Sequence, residues 1–211
     1  MPEASIGQGP PLPPTEYGWG GDSPGGPGPT GSSRRASLIL VYLLLVASTM
    51  VFLAFTAALI MRRQISSDWV AMHKPPILWL NTSVLLGSSI ALEKARRQLQ
   101  SGNRTQFNRW WTTGTGLGVL FLVGQALAWR ELREAGIYVA SNPSTAFFYI
   151  LTASHAAHLI GGLTALVYVD VKALQYSLGP AKRTAIDCSA IFWHFLDVIW
   201  IYLMVLFYVW G

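Results

Sequence analysis

The chain has 211 residues, of which 52% are hydrophobic and only 12% charged, with a net charge of +5. An ordinary soluble domain carries about 25% charged residues, so the composition excludes that class and points to a membrane protein. One cysteine, Cys188, excludes an internal disulfide and any Cys-rich zinc, iron–sulfur or two-cysteine copper site. The cations stand at the ends of apolar runs, which fits membrane anchoring and speaks against nucleic-acid binding.

Residues 1–33 hold nine Gly and eight Pro, with Glu3, Glu16 and Asp22 as their only charges. Such a segment buries almost nothing, and a disordered tail is expected. Its "PPLPP" stretch could dock a partner, although a flexible terminus is the favoured reading. Charge-free runs then follow one another: Ala36 to Met61, Pro75 to Leu92, Trp110 to Trp129 and Ala135 to Val169, while Cys188 to Gly211 carries only Asp197. Each is near or above the roughly 18 to 20 residues that cross a hydrocarbon core. The first run is too long for a signal-peptide core, so the protein is expected to insert and stay. The expected organisation is a five-helix transmembrane domain over 34–211, with helices at about 36–61, 75–94, 109–130, 144–170 and 186–210. The "SNP" at Ser141 to Pro143 reads as the turn before the fourth helix, because Pro143 keeps Asn142 out of helical geometry.

Orientation follows from the loops. Ten of the fifteen Lys and Arg residues lie before the first helix, between the second and third, and between the fourth and fifth. That asymmetry predicts a cytoplasmic N-terminus and a periplasmic C-terminus. Trp69, Trp110, Trp111, Trp129 and Trp210 fall near the expected helix ends and read as interfacial anchors. Small residues one turn apart, Gly114 with Gly118 and Ala153 with Ala157 and Gly161, are expected to let helices approach closely. No paired broken helices of the kind typical of many transporters are apparent.

Four ionisable residues are expected at membrane depth: His155 and His158 on the fourth helix, His194 and Asp197 on the fifth. Each pair is spaced i, i+3 and therefore shares a face. An ionised Asp at the bilayer centre costs roughly 2.5 to 3.5 kcal/mol, so Asp197 should face protein, be protonated or be paired. Three readings stand for the set: an interhelical polar network joining the fourth and fifth helices, a metal or haem site, and a proton relay. The network is favoured, because a three-residue step cannot put two imidazoles on opposite faces of one haem. Asn81, Thr82, Ser83, Gln125, Ser48 and Thr49 also lie in the spans, where amides and hydroxyls usually bond to neighbouring helices. None completes a nucleophile, base and orienter set.

The segments "KPPILWLNTSVLLGSSIALEKARR", "GQALAWRELREAGIYVASNPSTAFFYILTASHAAHLIGG" and "FWHFLDVIWIYLMVLFYVWG" resemble subunit III of the haem-copper terminal oxidases in its five-helix bacterial form. The likeness runs from about Arg34 to Gly211, and the pairing of an "FFYxLTxxHxxHxxGG" helix with a terminal "WHFxDVxW" helix is specific. The resemblance implies an accessory, non-catalytic subunit of an aerobic electron-transport complex, with no cofactor or metal of its own. Haems and copper would reside in partner subunits. It implies packing against subunit I, with subunit II and, in complexes that have one, subunit IV in the same complex, and it allows bound phospholipid. It also implies support of proton uptake in a bacterial cytoplasmic membrane. His155 and His158 match the family's two histidines, and His194 and Asp197 its last-helix pair. One departure is clear: where the family commonly has a membrane-embedded Glu, in a segment like "ASExMFF", this chain has "ASTMVF" with Thr49. The runners-up are a relative serving a quinol oxidase, a respiratory supercomplex or a nitric oxide reductase, a b-type haem membrane anchor, and a metal transporter.

Overall fold

The computed structural model describes residues 29–65, 77–139, 142–175 and 180–210. Residues 1–28, with "PPLPP", and also Trp69 and Ser141, lie outside the described residues. Five helices follow in chain order: α1 Pro29–Ile65, α2 Ile77–Gln100, α3 Arg104–Glu134, α4 Pro143–Leu174 and α5 Pro180–Trp210. Most of their ends lie outside the charge-free runs, because a helix leaving the hydrocarbon continues through the polar layer, where Arg and Glu are at home. α1 therefore starts inside the segment assigned to the tail. It opens on a proline, as does α5; the missing N–H costs nothing in the first turn.

Among the described residues, four helices are long and apolar enough to cross a membrane: α1 from Arg34, α3, α4, and α5 from Arg183 to Val209. α2 differs, because its charge-free stretch ends at Leu92 and its last turns carry Glu93, Lys94, Arg96 and Arg97. Its 24 residues still span about 36 Å at 1.5 Å per residue, more than the roughly 30 Å core.

Local chemistry sets the tight connections. α2 ends where Gly102 takes φ +80°, and the N–H groups of Gly102 and Asn103 donate back to the carbonyls of Leu99 and Gln98 at 3.2 and 3.0 Å. α3 ends the same way at Gly136, φ +76°, with Gly136 and Ile137 donating to Arg133 and Leu132. A left-handed residue there is cheap only for glycine. Asn103 caps α3 by accepting from the Gln106 N–H at 3.2 Å. Asn142, extended at φ −162°, caps α4 by accepting from the Thr145 N–H at 3.0 Å, with Pro143 next to it.

The helices do not surround one another equally. Among the described residues α2 lies along α3, α3 also meets α4, and α5 packs against α1, α2 and α4, whereas α1 meets only α4 and α5. In their most apolar windows α5 is 56% buried and α1 only 11%. α5 is thus the interior strut and α1 the outer one. The core they share is aromatic, with Trp111, Trp193, Trp200, Phe52, Phe107, Phe121 and Phe148 almost wholly buried.

Two packing expectations are corrected. Trp111 is no interfacial anchor: it is fully buried and its indole donates to the Leu166 carbonyl of α4 at 3.1 Å. Trp110, its neighbour, does sit at the edge, with the Lys94 ammonium 4.7 Å over its ring. Gly114 and Gly118 are tight approaches, since a Cβ would come within 2.8 Å of Leu92 and 2.7 Å of Trp193. Ala153, Ala157 and Gly161 instead form an exposed stripe. The glycine that meets a neighbour in α4 is Gly162, next along the chain and so about 100° round the helix, against Leu196 and Phe192.

Candidate functional site

The polar residues of the spans resolve into a seam, a closed pocket and an open groove. The seam joins α2 to α5. Thr82, Ser89 and Arg96 stand seven residues apart, two turns each, and so share one flank of α2. Each meets α5. Thr82 Oγ1 accepts from the Trp200 indole at 3.0 Å. The Ser89 hydroxyl donates to Asp197 Oδ2 and lies 2.5 Å from His194 Nδ1. Arg96 holds Asp187 at 3.2 Å. His194 Nδ1 and Asp197 Oδ2 are themselves 3.9 Å apart, on successive turns of α5.

Asp187 ties in a third helix, because Arg34 of α1 reaches its other oxygen at 3.5 Å. Glu93 accepts from Arg96 at 3.3 Å and Arg97 at 3.1 Å, so one end of the bundle carries an alternating charge network across α1, α2 and α5. At the other end of the chain's first helix, Arg63 donates to the Val209 carbonyl at 3.3 Å.

The closed pocket holds His155. It is 1% exposed, stacked on Trp200 at 5.0 Å between ring centres, with Phe121 and Phe52 edge-on at 6.2 and 6.4 Å. Among the described residues neither ring nitrogen has a hydrogen-bond partner, and the amide of buried Gln125 is in the same position. An imidazole walled in by three aromatic rings has no open side for a haem, and His194 is engaged elsewhere by Ser89. The residues present do not fit a bis-histidine haem.

The open groove holds His158. Its Nδ1 lies 2.7 Å from the Ser154 carbonyl one turn back, and its ring sits 5.5 Å from Phe52. Val41 and Leu44 of α1 and Ala157, Gly161 and Phe192 line the same space, a volume of about 490 Å³. Thr49, one turn from Phe52, is half-buried and donates to the Leu45 carbonyl of its own helix at 2.8 Å. That back-bond satisfies the hydroxyl locally.

The expected contact between the α4 histidines and Asp197 therefore does not form. Leu196, with Phe192, faces α4 at Gly162. The next residue is turned by about 100°, which carries Asp197 round to α2. Ser89 is the member that sequence reasoning missed. The repeat of hydroxyl, hydroxyl and guanidinium at Thr82, Ser89 and Arg96 is the signal that could have found it.

What the fold and the seam define is a multi-pass, all-helical membrane protein in which the polar side chains of the α2–α5 seam bond across helices. Among the described residues there is no group of three or more His, Cys, Asp and Glu placed to hold a metal ion. The chain belongs to the cytochrome c oxidase subunit III family, whose description matches it over residues 35–211. Among its relatives, cytochrome c oxidase subunit 3 of Corynebacterium diphtheriae is 33% identical over 133 residues, 63% of this chain and 65% of that protein. A probable cytochrome c oxidase subunit 3 of Mycobacterium tuberculosis is 30% identical over 154 residues, 70% of this chain and 74% of that protein. The Synechocystis subunit 3 is 29% identical over 175 residues, covering 80% and 73%. The match to the first of these spans just under two thirds of that relative's length.

Proposed function

We propose that the chain is the accessory subunit III of a respiratory haem-copper oxygen reductase in a bacterial cytoplasmic membrane. Haems and copper belong to its partner subunits in this reading, and this chain packs against subunit I, with subunit II and a fourth subunit in the same complex. Its contribution is to shield and stiffen subunit I, supporting stability and proton uptake during aerobic electron transport coupled to proton pumping, with phospholipid bound at its surface. The N-terminus lies in the cytoplasm and the C-terminus in the periplasm.

The observation that carries the reading is the family match across residues 35–211, which takes in all but the first turns of the helical bundle. Two things support it. The polar groups of α2 and α5 are engaged with one another, as suits a structural element, and the charge network of Arg34, Asp187, Arg96 and Glu93 lies at the end where positive-inside bias puts the cytoplasm. The names of the relatives favour cytochrome c over quinol as donor to the complex.

The test is to purify the tagged chain from its membranes in mild detergent, identify the co-purifying polypeptides and record the visible spectrum. Haem-copper oxidase subunits and their spectrum in the complex, with no Soret band in the separated chain, are the expected outcome. A Soret band that stays with the separated chain overturns it. Removing the chain is expected to leave initial oxygen reduction in place and to hasten its decline over many turnovers.

A further inference from the structure

We propose that the face of α5 left open between α1 and α2 receives a transmembrane helix of another oxidase subunit, which presents a hydrogen-bond donor to the His194 imidazole. The proposal rests on the subunit reading above. α1 and α2 each pack on α5, but among the described residues they do not pack on one another. A strip of α5 is therefore open between them. His194, Val198, Ile201, Val205 and Tyr208 follow at steps of four and three and share this face, and the last four are exposed. Trp79, Leu86 and Ile90, exposed along α2, form the adjoining wall.

Apolar exposure says nothing by itself here, since lipid tails would cover it equally well. The imidazole is what discriminates. The side chain of His194 is 35% exposed, midway along α5. The Ser89 hydroxyl has one proton and donates it to Asp197, so its oxygen accepts from His194 Nδ1–H. The neutral ring then has its remaining lone pair at Nε2, an acceptor. Asp197 Oδ1, buried in the same cluster, has no partner among the described residues either. Lipid tails supply no donor, and an unpaired polar atom at this depth is costly. A hydroxyl, indole or amide on a helix laid along the strip would supply one. The outward face of α3, with Leu120, Val123 and Leu127 exposed, has no comparable group and suits lipid.

The test places a photoreactive amino acid at Val198 or, separately, at Leu120 of the full chain in its native membranes. After irradiation, Val198 is expected to give an adduct with a second oxidase polypeptide, and Leu120 an adduct with lipid. In parallel, His194→Leu should lower recovery of that polypeptide with the tagged chain about threefold, the scale of one hydrogen bond in a membrane, and His194→Gln, which keeps an acceptor, should restore it. Lipid adducts alone at Val198, while oxidase subunits still co-purify with the chain, overturn the proposal. Co-purification of no oxidase subunit with the unaltered chain instead overturns the subunit reading, and this proposal falls with it.

Discussion

The two flanks of α2 are held in different ways. Against α3, backbones come close: Gly114 touches Leu92, Gly124 lies against the Asn81 side chain, and the two polar side chains of this flank bond to carbonyls, Ser88 to Gly114 at 2.8 Å and Asn81 to Phe121 at 3.4 Å. Against α5, side chain meets side chain at Thr82, Ser89 and Arg96. Lipid gives no hydrophobic drive for helix association, so contact area and hydrogen bonds must hold both flanks. The first flank uses the closeness that glycine allows, and bulk is what should break it. The second uses complementary groups, and the loss of one partner is what should break it.

That contrast is open to measurement by reversible unfolding of the detergent-solubilised chain. Gly114→Leu is expected to have the largest effect, a loss of about 1 to 3 kcal/mol from overpacking, because the first added carbon already meets Leu92 and the Ser88 carbonyl. A near-neutral result would mean that the α2–α3 flank is looser than its geometry. Asp197→Ala should come next, at about 0.6 to 1.7 kcal/mol, with haem content of the complex unchanged; haem lost from an otherwise intact bundle would count against the structural role. Thr82→Val removes the acceptor of the Trp200 indole, together with the hydroxyl's own bond to the Leu78 carbonyl one turn back, and should cost about 0.6 kcal/mol for the interhelical bond. Combining it with Asp197→Ala separates the steps of the ladder: the two losses should add if the steps are independent. Arg34→Ala is expected to be smallest, below about 1 kcal/mol and shrinking further in salt, since its side chain is 61% exposed at 3.5 Å from Asp187.

The sequence is legible here where one signal suffices. Charge-free runs locate the spans, and "SNP" marks the start of α4, because a proline and an Asn cap act on their own backbone. The misreadings share a cause: they concern azimuth. Trp111 looked interfacial from its place in the chain, yet its ring turns inward to Leu166. His155 and His158 looked like partners for Asp197 because depth matched, but depth fixes height and leaves rotation free. The closed surround of His155 by Phe52, Phe121 and Trp200 draws on three other helices, and no spacing within α4 encodes it. A serine in a "GSS" run declares no direction by itself, and Ser89 gains one only when its seven-residue steps to Thr82 and Arg96 are read together.

The isolation of α1 from α2 and α3 has a consequence for how the chain is made. Helices emerge in order, and among the described residues α1 finds its neighbours in α4 and α5 alone. The α2–α3 hairpin can close as soon as it is synthesised. α1 has to wait in the bilayer for α4, which brings His155 and His158 to its Phe52, and then for α5, which brings Asp187 for its Arg34 and Tyr202 for its Thr56. Of these five helices the earliest made is thus the last to be fully fastened, and a chain cut short before α5 would leave it held by α4 alone.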